Sequence, residues 1–433
     1  MMIKTKGLLK EIPGFIPDIP YIEVEHEDVE FSLDQYREPD VLTVDENNRI
    51  QPHQADPKNI TSTFEAFIDG TYKIVKIGYL YGVPFYVSNI AGALLWRDSN
   101  GFLHDFGDIG SFLVILYPFE AVMDYLYENN HREDAQILEE KIDTFRKEYS
   151  AINDCELRRD TLSVISDKSS PIYVISDITY KGLDCKKREK EKIEYIDIDC
   201  NDVFNISRIK AKAQIRTRVL MSILEATYLR AYREKMGTDK WVLMDGTLNH
   251  SFKYSFSKTK ESEKEKIFFE NTVGFVKTIR RRIFTTKPEK LIQLLSFKED
   301  QYIITLEEKN DSKEEELSEL DEKIIGKWGF VYLRFRYPHQ YIGISSLSKI
   351  FTPKGIIKAQ YYIPNYFSNN EEIKRYALKK GKIIADMLSF EKYPYPSDRR
   401  RIWNEPLAIE ETEKVAKSRT LSEEFLMHLG SVL

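Results

Sequence analysis

Trp241-Val-Leu-Met-Asp245-Gly-Thr-Leu248 is a short apolar run that closes on an acid, a glycine and a small polar residue. The same pattern occurs earlier, as Phe64-Glu-Ala-Phe-Ile-Asp69-Gly-Thr-Tyr72. A short apolar run bounded by turn residues reads as a buried strand. The Asp-Gly pair then sets a carboxylate where the strand leaves the core, and the glycine lets the backbone turn or a ligand come close. Two such strands, each delivering one aspartate to a sheet edge, assemble a metal site that neither makes alone. The competing reading is two unrelated Asp-Gly turns, since this dipeptide is common turn chemistry.

With 433 residues, 42% hydrophobic and 31% charged, the chain has the make-up of a globular protein of two or three domains, or of one domain with insertions. A net charge of −6 argues against a wholly basic nucleic-acid coat but leaves room for a local basic channel. Cys155, Cys185 and Cys200 show no CxxC spacing, which points away from a zinc site or a disulfide framework and toward a reducing cytoplasm. The first residues lack the apolar core of a signal peptide, and no apolar run reaches the length of a membrane span.

Taken in order, residues 1–60 read as an N-terminal extended segment, punctuated by the prolines of Ile12–Pro20. Phe64–Ile68 and Lys73–Val87 predict two or three strands separated at Asp69-Gly70 and Gly82-Val-Pro84, and Ala91–Trp96 continues them. His104-Asp-Phe-Gly-Asp108 reads either as a metal-binding cluster or as a loop with capping acids. Phe112–Tyr149 predicts helix, and Pro171–Ile175 a strand. Asn205–Met236 is the clearest helix, with Asn205 or Ser207 as its cap. Glu225 falls at the margin of its apolar stripe, beside Arg218 and Tyr232, either as a site acid or as an ion-pair partner of Arg218 or Arg230. Thr272–Lys277 predicts a strand ending in a lysine, with the basic cluster Arg280-Arg-Arg282 behind it. Trp328–Arg336 alternates as a half-buried strand presenting Tyr332, Arg334 and Arg336 on one face. Lys358–Ile363 predicts a strand, Glu371–Ser389 an amphipathic helix, Tyr393-Pro-Tyr-Pro396 a rigid turn, and 408–429 a terminal helix.

The ordered set resembles the NurA family of nucleases. It runs Asp69-Gly-Thr, helix-borne Glu225, Leu243-Met-Asp245-Gly246, Gly274-Phe-Val-Lys277, Tyr332-Leu-Arg334 and Tyr393-Pro-Tyr-Pro396. The resemblance covers residues 60 to 415. It implies an α/β fold, a ribonuclease-H-like mixed central sheet flanked by helices, with a nuclease domain over 61–415 and a C-terminal helical tail over 416–433. Asp69 and Glu225 lie farther apart than in the family's compact pattern, which implies an insertion at 93–205. The resemblance further implies that Asp69, Glu225 and Asp245 bind manganese or magnesium, as a pair of ions. Lys277 would stand near the scissile phosphate and Tyr393 in the catalytic set, while Arg280, Arg281, Arg282, Arg334 and Arg336 contact DNA. Where the family carries a histidine after its Tyr-Pro segment, this chain has Arg401 or, with a longer loop, Glu410 or Glu411.

Phosphodiester cleavage needs an activated water and a neutralised leaving oxygen, which two cations about 3.5–4 Å apart supply together. Such hard cations take oxygen ligands. The expected function is therefore a metal-dependent deoxyribonuclease: a cytoplasmic homodimer docked on a HerA-like hexameric ATPase, acting in DNA end processing, repair or defence against foreign DNA. Two alternatives stay open. One is a catalytically silent adaptor that binds the ATPase, and the other a hydrolase of a different phosphoester.

Overall fold

Tyr81 and Gly82 both hold positive φ, 49° and 79°. Two such residues make the turn whose twist suits a tight hairpin. They join β4 (Ala66–Leu80) to β5 (Val83–Arg97), the longest pairing among the described strands. The structure is a computed structural model that describes residues 15–17, 41–43, 52–159, 171–180, 198–200, 202–248, 269–277, 294–307, 327–336, 355–364, 367, 370–394 and 405–432.

Among these residues one mixed sheet of fourteen strands forms around that hairpin. On one side, β5 pairs antiparallel with β7 (Ser111–Tyr117), which is followed by β9 (Ile172–Asp177) and β8 (Ile152–Asn153), both parallel to it. On the other side, β10 (Val242–Asp245) runs parallel to β4, and β11 (Thr272–Val276) parallel to β10. Then come β14 (Ile356–Ile363), β13 (Lys327–Arg334) and β12 (Gln301–Glu307), each antiparallel to its neighbour. Short strands complete the edges. β1 (Phe15–Pro17) lies on β4, β6 (Leu103–Asp105) on β5, and both β2 (Val41–Thr43) and β3 (His53–Gln54) on β12.

Seven helices are described: α1 (Phe119–Glu128), α2 (Arg132–Tyr149), α3 (Asp154–Arg159), α4 (Ile206–Met236), α5 (Asn370–Glu391), α6 (Leu407–Ser418) and α7 (Glu423–Val432). Side chains of a strand alternate between faces. Ile68 and Met244 accordingly join the core under α4, with Leu224 and Tyr228. Phe67 and Leu243 join a second core with Ile384 and Leu388 of α5 and Ile409 of α6. By the same period, Asp69 falls on the face of Phe67, and Asp245 on that of Leu243. Asn205 caps α4 by accepting from the Arg208 N–H at 3.1 Å. The buried Arg216 guanidinium pairs with Asp154 and donates to the Tyr180 carbonyl at 2.8 Å, which pins the first half of that helix.

Three expectations change. Asp69-Gly70 does not break a strand, because Gly70 stays extended and paired with Gly92 inside β4. Phe112–Tyr117 is strand, all of it buried, and the helix begins only beyond Pro118, a residue with no N–H to continue a ladder. The terminal helix is two, α6 and α7. Within 93–205, β7, β9 and β8 extend the central sheet itself.

Candidate active site

The register of β10 on β4 sets Met244 opposite Ile68, so the next residues along, Asp245 and Asp69, stand side by side. Asp69 is 2% exposed, and its Oδ2 is buried with no hydrogen-bond partner among the described residues. Asp245 closes its strand. Gly246 then turns the chain with φ +84°, its N–H donating to the Phe275 carbonyl at 2.8 Å, and a quarter of the Asp245 side chain stays exposed.

Glu225 arrives from α4. Gly70 and Gly92 face each other across β4 and β5, and together they leave a flat place where the helix can lie close. A Cβ on Gly70 would stand 2.7 Å from Glu225 Oε1 and 2.7 Å from Met221 Cγ, and one on Gly92 would stand 2.8 Å from the Tyr228 ring. The Gly70 N–H hydrogen-bonds to the Glu225 carboxyl. Neither arginine proposed as a partner takes this acid: Arg218 reaches the Tyr72 hydroxyl at 3.2 Å, and Arg230 pairs with Glu234 at 3.0 Å. Gly70→Ala is expected to cost about 1–3 kcal/mol of stability, as overpacked sites do. If Glu225 helps to hold a divalent ion, the change should also weaken Mn²⁺ uptake by moving that acid. Denaturant melts and metal titrations of the variant check both, and unchanged metal uptake would show that the close approach of α4 is dispensable.

Lys277, directly after β11, sets its ammonium 3.0 Å from Asp245 Oδ2 and 2.6 Å from Glu405 Oε1. The structure adds two acids that the sequence pattern does not single out. Glu405 precedes α6 and is buried. Glu413, on α6, lies within electrostatic reach of both Asp69 and Asp245 and pairs with Lys417 at 2.6 Å. It stands four residues after Ile409 and three before Ala416, both buried. That helical spacing was the available signal, hidden in a Lys/Glu-rich stretch that reads as solvated. Glu410 and Glu411, the acids expected near this place, pair instead with Lys414 at 2.9 and 2.8 Å.

The charge balance is heavily negative. Burial first, and then the Asp245 carboxylate, hold the Asp69 carboxyl well above its ordinary range, with Lys277 pulling the other way. Burial and Asp245 push Glu225 up to about 8, against the Gly70 N–H. Asp245 is raised by burial and lowered by Lys277. For Lys277, burial opposes the charge, but Asp245, Asp69 and Glu405 outweigh it and keep the ammonium protonated. Protons thus do part of what a cation would do here. Carboxylates within electrostatic reach of one another, one with a buried oxygen that has no donor among the described residues, suit a hard divalent ion. Among the described residues, no three His, Cys, Asp or Glu side chains already stand spaced to ligate one ion. No protein-family model matches the chain, and no curated protein matches it in sequence.

The DNA-binding expectation for Arg334 and Arg336 is corrected. Trp328–Arg336 is buried throughout its described side chains, not half-buried. Arg334 donates to the carbonyls of Phe297 at 3.2 Å and Leu295 at 2.6 Å. Arg336 donates to the Glu405 carbonyl at 3.2 Å and to that of Lys392. Both guanidiniums tie backbone segments together inside the protein, where no phosphate reaches them. Tyr393 lies just past α5, 53% exposed, with the Lys392 ammonium 5.5 Å from its ring centre. The carbonyl of its neighbour Lys392 is held with that of Glu405 by Arg336. Arg280, Arg281, Arg282 and Arg401 lie outside the described residues. The His104–Asp108 segment takes its capping reading. Asp105 accepts from the Gly107 N–H and binds Arg419, Asp108 accepts from the Gly110 N–H, and His104 meets Asp98 at 2.9 Å.

Proposed function

We propose that this chain is a divalent-metal-dependent deoxyribonuclease of the NurA kind, built on a ribonuclease-H-like core. The observation that carries the reading is that Asp245, Glu225 and Glu413 all lie within electrostatic reach of the buried Asp69, with Lys277 paired to Asp245 at 3.0 Å. The order β7-β5-β4-β10-β11 supports the core. It is a three-stranded antiparallel meander continued by two strands parallel to β4, with α4 running from the meander side to β10.

Bound manganese or magnesium would supply charge neutralisation at the leaving oxygen and an activated water. Asp69, Glu225, Asp245 and Glu413 are the residues that would hold it. Lys277 carries a positive charge to the rim of the same site, where it can orient a phosphate oxygen. The resemblance extends the proposal to a homodimer working with a HerA-like hexameric ATPase. A second reading, the silent adaptor for that ATPase, draws on the inward turn of Arg334 and Arg336, which removes two expected phosphate contacts from the surface. No helix among the described residues is long and apolar enough to cross a membrane.

The test uses the purified chain on single-stranded and double-stranded DNA with Mn²⁺, alone and with a HerA-like ATPase. Cleavage that a chelator abolishes is expected. Metal uptake and ATPase binding without cleavage would favour the adaptor, and turnover of small phosphodiesters regardless of DNA length would favour another hydrolase.

A further inference from the structure

Lys277 touches one of the central acids, Asp245, and a buried acid outside them. Its ammonium stands between Asp245, at 3.0 Å, and Glu405, at 2.6 Å. Glu405 is 2% exposed, and its backbone is fixed by the buried Arg336, which grips the Glu405 carbonyl and that of Lys392 together. So the nearer partner of Lys277 is held rigidly, and the farther one is an acid of the candidate metal set. A buried ammonium so placed neutralises part of a charge that a divalent ion would otherwise meet.

We propose that Lys277 is a resident counter-cation which competes with the metal for Asp245, and that Glu405 is the positioning residue that draws it aside. The proposal rests on the metal reading above. With Glu405 present, the lysine can leave Asp245 without being stranded as an unpaired buried charge. Without it, Asp245 and Asp69 become its nearest acids, and an incoming ion must displace it from them.

The experiment is a double-mutant cycle on Mn²⁺ affinity, read by calorimetric titration of the full chain with no DNA present. Lys277→Met should bind Mn²⁺ about tenfold more tightly than the wild type, and Glu405→Gln about tenfold more weakly, the range that coupled neighbours show. In the Lys277→Met background, Glu405→Gln should change the affinity little. An equal loss in both backgrounds would mean that Glu405 acts through its own charge, and would overturn the proposal. If Glu405→Gln does not fold, as judged by thermal melts, Lys277→Met decides alone: unchanged or weaker uptake overturns the competition. A wild type that takes up no Mn²⁺ overturns the metal reading itself. A wild type that binds normally, with variants that do not shift, overturns only the competition between Lys277 and the ion and the part Glu405 plays in it.

Discussion

Asp245→Asn is expected to cut Mn²⁺-dependent DNA cleavage by about a thousand-fold, while the protein folds and binds DNA nearly as before. Asp245 stands beside Asp69, within reach of Glu225 and Glu413, and paired with Lys277. That central position makes its charge the one that all the other site groups feel. Loss of one anionic ligand removes several kcal/mol of charge stabilisation, and each 1.36 kcal/mol is a factor of ten in rate. The fold should tolerate the change because asparagine has the same shape, and Lys277 keeps Glu405 as its partner at 2.6 Å. Relief of carboxylate repulsion also works in the variant's favour. Cleavage rates, a thermal melt and a DNA-affinity measurement together decide the matter. Full activity of the variant in manganese would remove the mechanism.

The second large effect concerns the metal-free protein, which should lose stability as pH rises from 5 to 7 and regain it when Mn²⁺ is added. Glu225 holds its proton up to about 8 in the folded chain, against an ordinary 4.5, because burial and then Asp245 oppose its charge. Asp69 and Asp245 shift in the same direction. A carboxyl with a raised folded value binds protons more tightly when folded. Its contribution is therefore complete below the unfolded value and drains away as pH climbs toward the folded one. Lys277 is raised as well, but its contribution fades only above the ordinary lysine range. Lys380, pushed down to about 7 by burial, acts in the opposite sense, yet chiefly above pH 7. The interval from 5 to 7 thus isolates the acids. Melts of chelator-treated protein should fall across it, and Mn²⁺ at a hundred times its Kd should return about 2.7 kcal/mol at pH 7. Glu225→Gln should flatten the dependence. A melting temperature indifferent to both pH and metal would contradict the charge balance described for the site.

Much of this arrangement is legible in the residues, and the exceptions share a cause. The run before Asp245, the strand before Lys277 and the helix behind Asn205 are local patterns, and local patterns survive folding. Gly70 misleads because its use is not local. An Asp-Gly pair suits a turn, but here the glycine makes room for Glu225 and Met221 of a helix far along the chain. Phe112–Tyr117 is a short apolar run that periodicity alone assigns to either strand or helix. Arg334 and Arg336 alternate as a half-exposed face would. The carbonyls that take them, at Leu295, Phe297, Lys392 and Glu405, come from segments that no spacing within the strand reveals. Glu413 hides for the opposite reason: a helix dense in Lys and Glu disguises an acid within electrostatic reach of Asp69.

The placing of Glu413 on α6 bears on how the protein comes into being. Asp69 is made well before Glu413, and contacts so distant in the chain form late and slowly. A nascent chain that has already emerged from the ribosome through Asp245 and Lys277 therefore carries three of the four acids without α6 over them. The fourth carboxylate, and the Glu405 that steadies Lys277, arrive only when that later segment docks. A nascent molecule is thus denied the full set of charges until α6 has been added.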